Sequence, residues 1–483
     1  MPEYLIRCVQ QHESFRKAEL ESLATFAGVE MKFISYSEST PFALVTLPSD
    51  AAARAVITRS ILSMGIYELW GSGTDYPALH ASVAERTAPR WPAYATTPFR
   101  FSVDAFQGKR SSGAQRGLID SFRYMAFGGP IRMKDADLHL CIFEEYEQFA
   151  DVPKRVFLGR WVADGGRRAV VTYDLKKRRY ISTTSMDAEL ALVTANMALA
   201  APGKCFFDPF VGTGSFTVAA SHFGAQALGS DIDGRSIRGK GEGKGVVANF
   251  KQYGLTGRFM DNFVSDLTNT PLRRGRWLDG IVCDPPYGVR EGLKVLGRKD
   301  GGGQEAVMVD GEWAHLREGY IPPKKPYSFE AMLDDILEFA TEMLVDEGRL
   351  SMWMPTANDE DVEFSIPSHP CLQLVSVCVQ PFNKWSRRLL TYRRIPNAQV
   401  DKSVTWTKRT KEGGHADDLN DFRRKYFQGF KSPETEAPTP TSAALSSSDT
   451  TAATEKQGAE QLAKQVSGLE VSDESSNPEA LSK

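Results

Sequence analysis

The first 75 residues alternate between short apolar runs and longer amphipathic stretches. Four of the runs have the length and composition of strands, and they cover residues 4–9, 31–36, 42–47 and 66–70. Residues 15–28 place most of their apolar side chains on one face of a helix. Ser49 is a suitable N-cap for a second helix, because its hydroxyl can accept a hydrogen bond from a first-turn N–H. The order βαββαβ predicts a ferredoxin-like unit over residues 1–75.

A second small unit is predicted over residues 96–165. Three apolar runs have the pattern of strands, at 99–103, 138–143 and 156–161, and residues 111–127 have that of a helix. Residues 151–180 hold nine Lys or Arg against three Asp. This excess predicts contacts with phosphate groups, although a solvated charged surface has the same composition. The candidate phosphate-binding residues are Arg110, Arg116, Arg123, Lys176, Lys177 and Arg178.

From residue 186 to about 396 the pattern changes to alternating helices and short apolar strands. The predicted strands are 204–207, 226–230, 278–283, 349–354, 373–379 and 389–394. Helical stretches such as 213–223 and 329–345 lie between most of them. This alternation predicts an α/β fold with a doubly wound sheet. The last two strands have no helix between them, which predicts an antiparallel hairpin at one edge.

The charge balance is uneven along the 483 residues. Lys and Arg number 58 and Asp and Glu number 61, a formal net charge of −3. Residues 431–483 contain nine acids and four Lys, a net of −5, which leaves +2 for residues 1–430. The negative net charge of the whole chain therefore comes from residues 431–483, and it gives no argument against an anionic partner for residues 1–430. The tail contains no Phe, Tyr or Trp, and its Ser/Thr-rich composition predicts disorder.

Cysteine and histidine usage gives no sign of a metal centre. The six Cys form no Cys-x-x-Cys pair and there are only seven His, so we expect no metal site in this chain. Dispersed thiols are typical of a reducing compartment, and the first residues lack the apolar core of a signal peptide. No uninterrupted apolar run approaches about 18 residues, the length that a membrane helix needs. We therefore expect a cytoplasmic protein without a membrane span.

The first candidate site follows the strand at 204–207. It reads Asp208-Pro209-Phe210-Val211-Gly212-Thr213-Gly214-Ser215-Phe216. Glycines at such a turn let the backbone approach a ligand closely. A NAD-type fingerprint would need a third glycine at 217, where Thr217 stands. An Asp at the strand end suits a ligand with a cationic centre or an amine instead.

Two further acids follow the next two strands. Asp231 lies 17 residues beyond Gly214, at the distance where an acid can hold both hydroxyls of a ribose. A polar residue that simply ends a strand is the alternative. Asp266 follows an apolar stretch at 259–264 and could accept a hydrogen bond from an adenine amino group. The order of the acids along the chain, rather than Asp266 alone, supports this interpretation.

The most specific motif is Asp284-Pro285-Pro286-Tyr287-Gly288, after the strand at 278–283. Two prolines prevent the strand from continuing and leave the Asp284 carboxylate and the Pro285 carbonyl available as acceptors. An aromatic ring follows directly. Acceptors next to a stacking ring are what binding the exocyclic amine of a planar base requires. A merely rigid turn is the alternative.

The motifs DPFVGTGSF (208–216), GSDID (229–233) and DPPYG (284–288) resemble those of class I S-adenosylmethionine-dependent methyltransferases that act on amino groups of bases. The upstream units resemble the ferredoxin-like and THUMP domains of tRNA-modifying enzymes. Other blocks resemble the catalytic subunits of eukaryotic tRNA (guanine-N2)-methyltransferases that modify guanosine ten; they include RRYISTTSMDAELALVTANMA (178–198), YGVREGLKVLG (287–297) and NKWSRRLLTYRR (383–394). The resemblance spans about 1–396.

The resemblance implies a THUMP-like RNA-binding unit at 96–165 and a Rossmann-like methyltransferase domain at 178–400. It implies that S-adenosylmethionine is bound by the acids and glycines described above: the methionine part by Asp208, Gly212 and Gly214, with Phe210 in the same loop, the ribose by Asp231 and the adenine by Asp266.

By the same resemblance, Asp284, Pro285, Pro286 and Tyr287 form the catalytic loop that holds the guanine amine, with Tyr287 stacked on the base. Residues 385–388 and 322–325 are expected at the entrance. The implied partners are tRNA, which the basic residues named above would contact, and a small zinc-binding activator subunit, so that the metal belongs to the partner.

Other functions remain open at this point. The runner-up is a methyltransferase for a different RNA guanine or for adenine in DNA, and the THUMP-like unit argues for RNA. A non-catalytic RNA-binding scaffold is the alternative from another class, but such a role would need neither the series of acids nor the DPPY loop. A dehydrogenase is disfavoured by Thr217.

Overall fold

A computed structural model describes residues 1–239, 241, 243–297, 307–317, 320, 322–357, 366–409 and 415–428. The tail at 431–483, for which the sequence predicts disorder, lies outside the described residues. Over the described ranges the strands form two seven-stranded sheets and two short two-stranded ones. One large sheet is built from residues 3–164 and the other from residues 205–394.

The amino-terminal sheet begins with a ferredoxin-like unit. Its strands are β1 (Glu3–Cys8), β2 (Lys32–Ser35), β3 (Phe42–Thr46), β4 (Ser63–Gly73), β5 (Phe99–Phe106), β6 (Leu138–Glu145) and β7 (Arg155–Asp164). Helices α1 (Glu13–Ala27) and α2 (Asp50–Ile57) complete the predicted βαββαβ order. Ser49 caps α2 as expected, because its Oγ accepts a hydrogen bond from Ala52 N at 3.2 Å.

Strands from both predicted amino-terminal units form one continuous sheet. The order is β2-β3-β1-β4-β7-β6-β5, and β4 pairs antiparallel with β7. Helix α3 (Tyr76–Thr87) packs on β4 so closely that a Cβ at Gly71 would lie 2.4 Å from Val83 Cγ2. The helix predicted at 111–127 is divided: α4 (Ser112–Asp120) ends early, and a 3₁₀ turn at Arg123–Met125 follows.

The second sheet confirms the predicted doubly wound α/β fold. Its strands are β8 (Cys205–Asp208), β9 (Gln226–Asp231), β10 (Phe259–Val264), β11 (Leu278–Cys283), β16 (Leu344–Ala357), β17 (Leu372–Pro381) and β18 (Trp385–Arg394). Their order is β10-β9-β8-β11-β16-β18-β17. The first five strands in this order are parallel, whereas β18 runs antiparallel to both β16 and β17. The predicted antiparallel hairpin is therefore present at one edge.

The remaining elements cover this sheet and connect its strands. The helices are α5 (Arg168–Thr172), α6 (Ala188–Met197), α7 (Ser215–His222), α8 (Gly234–Arg238), α9 (Val246–Gln252), α10 (Phe329–Met343) and α11 (Asp421–Gln428). Strand β12 (Lys294–Leu296) pairs with β15 (Lys324–Pro326), and β13 (Met308–Val309) pairs with β14 (Glu312–Trp313). Successive residues Phe206 and Phe207 belong to two different hydrophobic cores, because side chains along a strand alternate between faces.

A buried polar network joins the amino-terminal unit to the second sheet. Glu19 of α1 is fully buried, and its carboxylate accepts hydrogen bonds from Ile61 N at 2.9 Å, Leu62 N at 3.0 Å and Ser60 Oγ at 2.9 Å. A fourth donor, Asn196 Nδ2, comes from α6 at 2.8 Å. Since a buried carboxylate is tolerated only with its hydrogen bonds made, this network fixes how α1 lies against α6.

The strand order indicates where a ligand would bind to this sheet. The chain runs outward from β8 to β9 and β10 and then returns to β11, so the order reverses between β8 and β11. In open α/β sheets ligands bind at such a reversal, outside the carboxyl ends of the strands. Asp208, Asp231 and Asp284 lie at or just after the carboxyl ends of β8, β9 and β11.

Candidate active site

A cavity of about 940 Å³ opens at the carboxyl ends of these strands. Eight of the ten predicted catalytic and cofactor-binding residues line it, namely Phe210, Gly212, Asp231, Asp266, Asp284, Pro285, Pro286 and Tyr287. Asp208 is buried at the end of β8, and Gly214 precedes the first turn of α7. The fold therefore brings together residues that are up to 79 positions apart (208 to 287) in the sequence.

Asp208 presents a buried carboxylate with one unused oxygen. It is 1% exposed, and its Oδ1 accepts a hydrogen bond from Phe210 N at 2.9 Å, whereas Oδ2 has no partner among the described residues. Burial raises the pKa of Asp208 well above its usual range. Gly212 and Gly214 have φ angles of +48° and +82°, so the turn after Asp208 needs glycine. The unused oxygen suits a ligand that carries a positive charge or an N–H donor.

The Asp231 carboxylate accepts hydrogen bonds from the backbone of two loops and also lines the cavity. Its Oδ2 accepts a hydrogen bond from Gly212 N at 3.0 Å, and its Oδ1 accepts one from Asp233 N at 2.8 Å. Burial raises the pKa of Asp231. Because two carboxylate oxygens offer about four acceptor positions, Asp231 retains capacity for ligand hydroxyl groups.

The Asp266 carboxylate makes more hydrogen bonds within the protein than the sequence predicted. It is 4% exposed, and its Oδ1 accepts hydrogen bonds from Thr268 N at 2.9 Å and Thr268 Oγ1 at 3.0 Å. Its Oδ2 accepts one from Leu296 N at 2.6 Å, which ties β12 to the end of β10. Asp266 therefore positions the cavity wall, and its predicted contact with an adenine stays a prediction.

Asp284 lies between a phenol and a guanidinium. Its side chain is 22% exposed, Tyr287 Oη donates a hydrogen bond to its Oδ1 at 2.5 Å, and Arg387 Nη1 lies 4.0 Å from its Oδ2. Burial raises the pKa of Asp284, and the hydrogen bond from Tyr287 and the charge of Arg387 offset part of this rise. The resulting pKa is about 6. Pro285 is buried and Pro286 is exposed. The pairing of Tyr287 with Asp284 was not predicted, since the sequence indicated only a stacking ring.

Arg387 is held in place by three side chains. Its Nε donates to Gln380 Oε1 at 2.6 Å, and its Cζ lies 4.9 Å from the centre of the Trp353 ring and 5.8 Å from that of Phe382. Such contacts restrict the long arginine side chain. The cation beside Asp284 is therefore a fixed part of the site. Sequence reasoning placed residues 385–388 only at an entrance.

Aromatic rings form one wall of the cavity. Trp385 lies edge-on to Tyr287 with 6.3 Å between ring centroids, and Phe422 lies 5.7 Å from Trp385. Phe422 and Tyr426 come from α11, beyond the predicted domain at 178–400, so the sequence analysis missed them. Their four-residue spacing, which places both on one helical face, is the signal that could have found them. Residues 322–325 are not among the described residues that line the cavity.

The structure gives Arg178 a different role from the predicted one. Its side chain is buried, with Nη1 donating to Ser215 Oγ at 3.0 Å and Nη2 to Tyr173 O at 3.4 Å. Asn249 Nδ2 donates to Thr213 O at 3.1 Å in the same region. Arg178 supports the glycine turn from behind, so the prediction that it contacts a phosphate is wrong.

Arg110 also serves the fold, whereas four of the predicted basic residues are accessible. Arg110 forms an ion pair at 2.6 Å with Glu144, whose side chain is completely buried. The guanidinium compensates a buried charge and is not available to a phosphate in this arrangement. The exposed residues are Arg116, Arg123, Lys176 and Lys177. Their contact with RNA stays a prediction.

The described ranges contain neither a membrane-spanning helix nor a cluster of metal-ligating side chains. None of the helices there combines the length and the hydropathy that a membrane span requires. In the same part of the chain, no cluster of three or more His, Cys, Asp and Glu side chains could hold a metal ion.

Comparisons with known proteins show which family the chain resembles. Residues 2–167 match the family model of the Tmrp11 THUMP N-terminal domain, and residues 176–298 match that of the RMKL-like methyltransferase domain. The chain is 44% identical to the tRNA (guanine(10)-N2)-methyltransferase of Saccharomyces cerevisiae, over 89% of this chain and 100% of the relative. The relative named identically in Schizosaccharomyces pombe is 38% identical, over 88% and 96%.

A human relative, tRNA (guanine(10)-N2)-methyltransferase TRMT11, is 32% identical over 88% of this chain and 95% of its own length. The predicted class I methyltransferase fold with an amino-terminal THUMP unit is confirmed. The chain therefore belongs to the tRNA (guanine(10)-N2)-methyltransferase family.

Proposed function

We propose that this chain transfers a methyl group from S-adenosylmethionine to the exocyclic N2 amine of guanosine ten in tRNA. The observation that carries the proposal is the position of Asp284. Its half-buried carboxylate stands at the end of β11, in the same cavity as the carboxylate that ends β9, and an aromatic residue donates a hydrogen bond to it.

The cofactor side of the cavity suits S-adenosylmethionine. The unpartnered Oδ2 of buried Asp208 would accept a hydrogen bond from the ammonium group of S-adenosylmethionine. The glycine turn admits the close approach of a ligand, and Asp231 offers acceptors for ribose hydroxyls. Bound there, S-adenosylmethionine supplies an activated methyl group. The residues of the chain therefore need only to bind and orient both reactants.

The substrate side prepares a weak nucleophile. The lone pair of the guanine N2 amine is delocalised into the ring, so hydrogen-bond acceptors must draw the amine into the geometry in which that lone pair faces the methyl group. The Asp284 carboxylate and the Pro285 carbonyl would accept the two amine hydrogens. Tyr287 orients the carboxylate through its hydrogen bond at 2.5 Å. Asp284, when ionised, also takes the proton that the amine loses.

The exposed basic residues Arg116, Arg123, Lys176 and Lys177 would hold the tRNA backbone. A guanosine within paired RNA must leave its stack to reach the cavity. Phosphate contacts made elsewhere on the chain offset part of that cost. We infer a cytoplasmic location, which suits the absence of paired cysteines among the six, all of which are unbridged.

A zinc-binding activator subunit is the proposed protein partner, at strand β10. Within the described ranges β10 is the outermost strand on its side of the sheet and pairs only with β9. Its side chains Met260 and Val264 are 50% and 54% exposed. An edge with unpaired backbone groups and exposed apolar side chains favours addition of a strand from another protein. Such a subunit would also cover the strand that precedes Asp266.

The experiment that tests the function changes one functional group on the substrate. Two tRNAs are prepared, one with guanosine and one with inosine at position ten; inosine lacks only the exocyclic amine. We expect labelled methyl transfer to the first and none to the second. Equal labelling of both would show that the amine at this position is not the acceptor.

A further inference from the structure

The segment 415–428 lies beyond the last strand of the sheet, yet it is packed into the domain. Leu419, Asn420 and Phe422 are 4%, 2% and 6% exposed. The Leu419 carbonyl accepts a hydrogen bond from Phe329 N at 3.0 Å, at the start of α10. Burial of three consecutive or near-consecutive residues fixes this segment against the catalytic domain.

Side chains of the segment form hydrogen bonds with backbone carbonyls at the end of the catalytic loop and just after it. Asn420 Nδ2 donates a hydrogen bond to the Tyr287 carbonyl at 2.9 Å. Arg423 Nη1 donates to the carbonyls of Gly288, at 2.7 Å, and Val289. Three successive carbonyls are thus held by two side chains from the segment. The backbone conformation that follows Asp284 therefore depends on residues 133 or more positions away.

The contact between segment and loop is close. Gly288 has φ +72°, and a Cβ built there would lie 2.8 Å from Asn420 Nδ2. Arg423 is itself fixed by an ion pair at 2.7 Å with Asp417, inside the same segment. A glycine at 288 thus allows the approach that the hydrogen bond to Tyr287 needs.

The same segment extends the aromatic wall. Phe422 packs 5.7 Å from Trp385, and Tyr426 follows 6.2 Å from Phe422. Both line the cavity, and Tyr426 is 43% exposed. An exposed ring in a row with Tyr287 and Trp385 can stack on a planar base, since every base presents a π face.

We propose that residues 417–426 of this segment are part of the target-base site: Asn420 and Arg423 position the catalytic loop, and Tyr426 contacts the RNA beside the target base. This inference rests on the proposed function, whose substrate site it extends. Asn420 is a positioning residue because it acts through the Tyr287 backbone. Tyr426 is a binding residue, since its ring would touch the nucleic acid itself.

The test compares three variants of the full-length chain, purified with any subunit that wild-type activity requires. Tyr426→Ala removes the exposed ring, and Asn420→Asp keeps the size of the side chain but removes the donor to Tyr287. Gln428→Ala is the matched control, an exposed residue at the end of the same helix. The measurements are kcat, KM for tRNA, S-adenosylmethionine affinity by calorimetry, and thermal unfolding.

We expect Tyr426→Ala to raise KM for tRNA roughly 5- to 150-fold, the range for loss of one base–aromatic stack, with unchanged cofactor affinity. Asn420→Asp should lower kcat about 10- to 100-fold at unchanged KM, because a misplaced acceptor affects the reacting geometry. Gln428→Ala should behave as wild type. Wild-type values for both Tyr426→Ala and Asn420→Asp would overturn the inference.

A structural role alone would give a different result. If the activity losses of Tyr426→Ala and Asn420→Asp track a lowered unfolding temperature and a weakened cofactor affinity, the segment only stabilises the fold and the inference is overturned. An inactive wild-type chain would instead contradict the proposed function, so the two failures are distinguishable.

Discussion

Phe15, in the first helix of the chain, stacks on Trp353 of strand β16 with 5.7 Å between ring centroids and 29° between ring planes. Arg387 lies 4.9 Å over the same Trp353 ring and 4.0 Å from the Asp284 carboxylate. A row of direct contacts therefore leads from the amino-terminal unit to Asp284, in the proposed catalytic loop. The amino-terminal sheet and its helices thus support the shape of the site and also carry Arg116 and Arg123, two of the four residues proposed to bind RNA.

Replacing Phe15 tests this support. Phe15→Ala removes a fully buried ring and leaves a cavity beside Trp353, so we expect a loss of about 3 to 5 kcal/mol in the free energy of unfolding. Urea denaturation followed by Trp fluorescence measures it. Lys17→Ala, on the same helix but 49% exposed, should cost less than about 0.5 kcal/mol. A Phe15→Ala loss as small as that of the control would contradict the packing described here.

The pH dependence of the reaction should report Asp284. Only the ionised carboxylate can accept the amine proton, and burial raises its pKa to about 6, so kcat should fall as the pH is lowered through about 6. The groups that face Asp284 are Tyr287, Arg387 and the buried neighbours Asp208 and Cys283.

Arg387→Gln removes the positive charge nearest to Asp284, so the pKa of Asp284 should rise. The fall of kcat on the acid side of its pH profile should then occur at higher pH. Arg387→Lys, which keeps the charge, should move it less. Arg393→Gln is the control, because Arg393 lies on the same strand and pairs with Glu347 at 2.7 Å. If the fall of kcat at low pH occurs at the same pH in Arg387→Gln as in the wild type, Arg387 does not influence the pKa of Asp284.

Asp231 should matter for the cofactor before it matters for chemistry. Asp231→Asn keeps the size of the side chain but removes the charge that holds hydroxyl donors, so S-adenosylmethionine affinity should fall about 10- to 100-fold. Isothermal calorimetry measures the dissociation constant directly. Asp346→Asn, a half-exposed carboxylate paired with Arg276, should leave it unchanged. Equal affinities in the two variants would rule out the ribose role of Asp231.

The edge strand β10 should be where the proposed activator subunit binds. Met260→Glu places a charge on this exposed edge, so co-purification of the chain with a small zinc-binding activator should be lost. Met64→Glu is the matched control: Met64 is 52% exposed, close to the 50% of Met260, but lies in the amino-terminal sheet. Retention of the activator by Met260→Glu would place the interface elsewhere.

Local motifs explain how much of the site could be predicted. Asp208, Asp231 and Asp284 each stand where an apolar strand ends, and parallel strands bring their carboxyl ends to one edge, which is why acids found in separate sequence motifs meet there. The missing helix between the last two strands likewise predicted that β17 and β18 form a hairpin, as the structure has them.

The rest depends on contacts that no local pattern encodes. Arg178 belongs to a basic run that resembles a phosphate-binding surface, but its guanidinium is buried against Ser215, 37 residues away. Asn420 reaches the catalytic loop from 133 residues away. A side chain's availability is decided by which distant element covers it, and charge patterning does not contain that information.

The identity of the methylated nucleoside tests the central claim most directly. Wild-type chain, with any subunit it requires, and Asp284→Asn are incubated with S-adenosylmethionine and unmodified tRNA, which is then digested to nucleosides and analysed by mass spectrometry. We predict N2-methylguanosine from the wild type, and formation at least about 100-fold slower from Asp284→Asn at unchanged cofactor affinity. A different methylated nucleoside, or undiminished N2-methylguanosine from Asp284→Asn, would contradict the account.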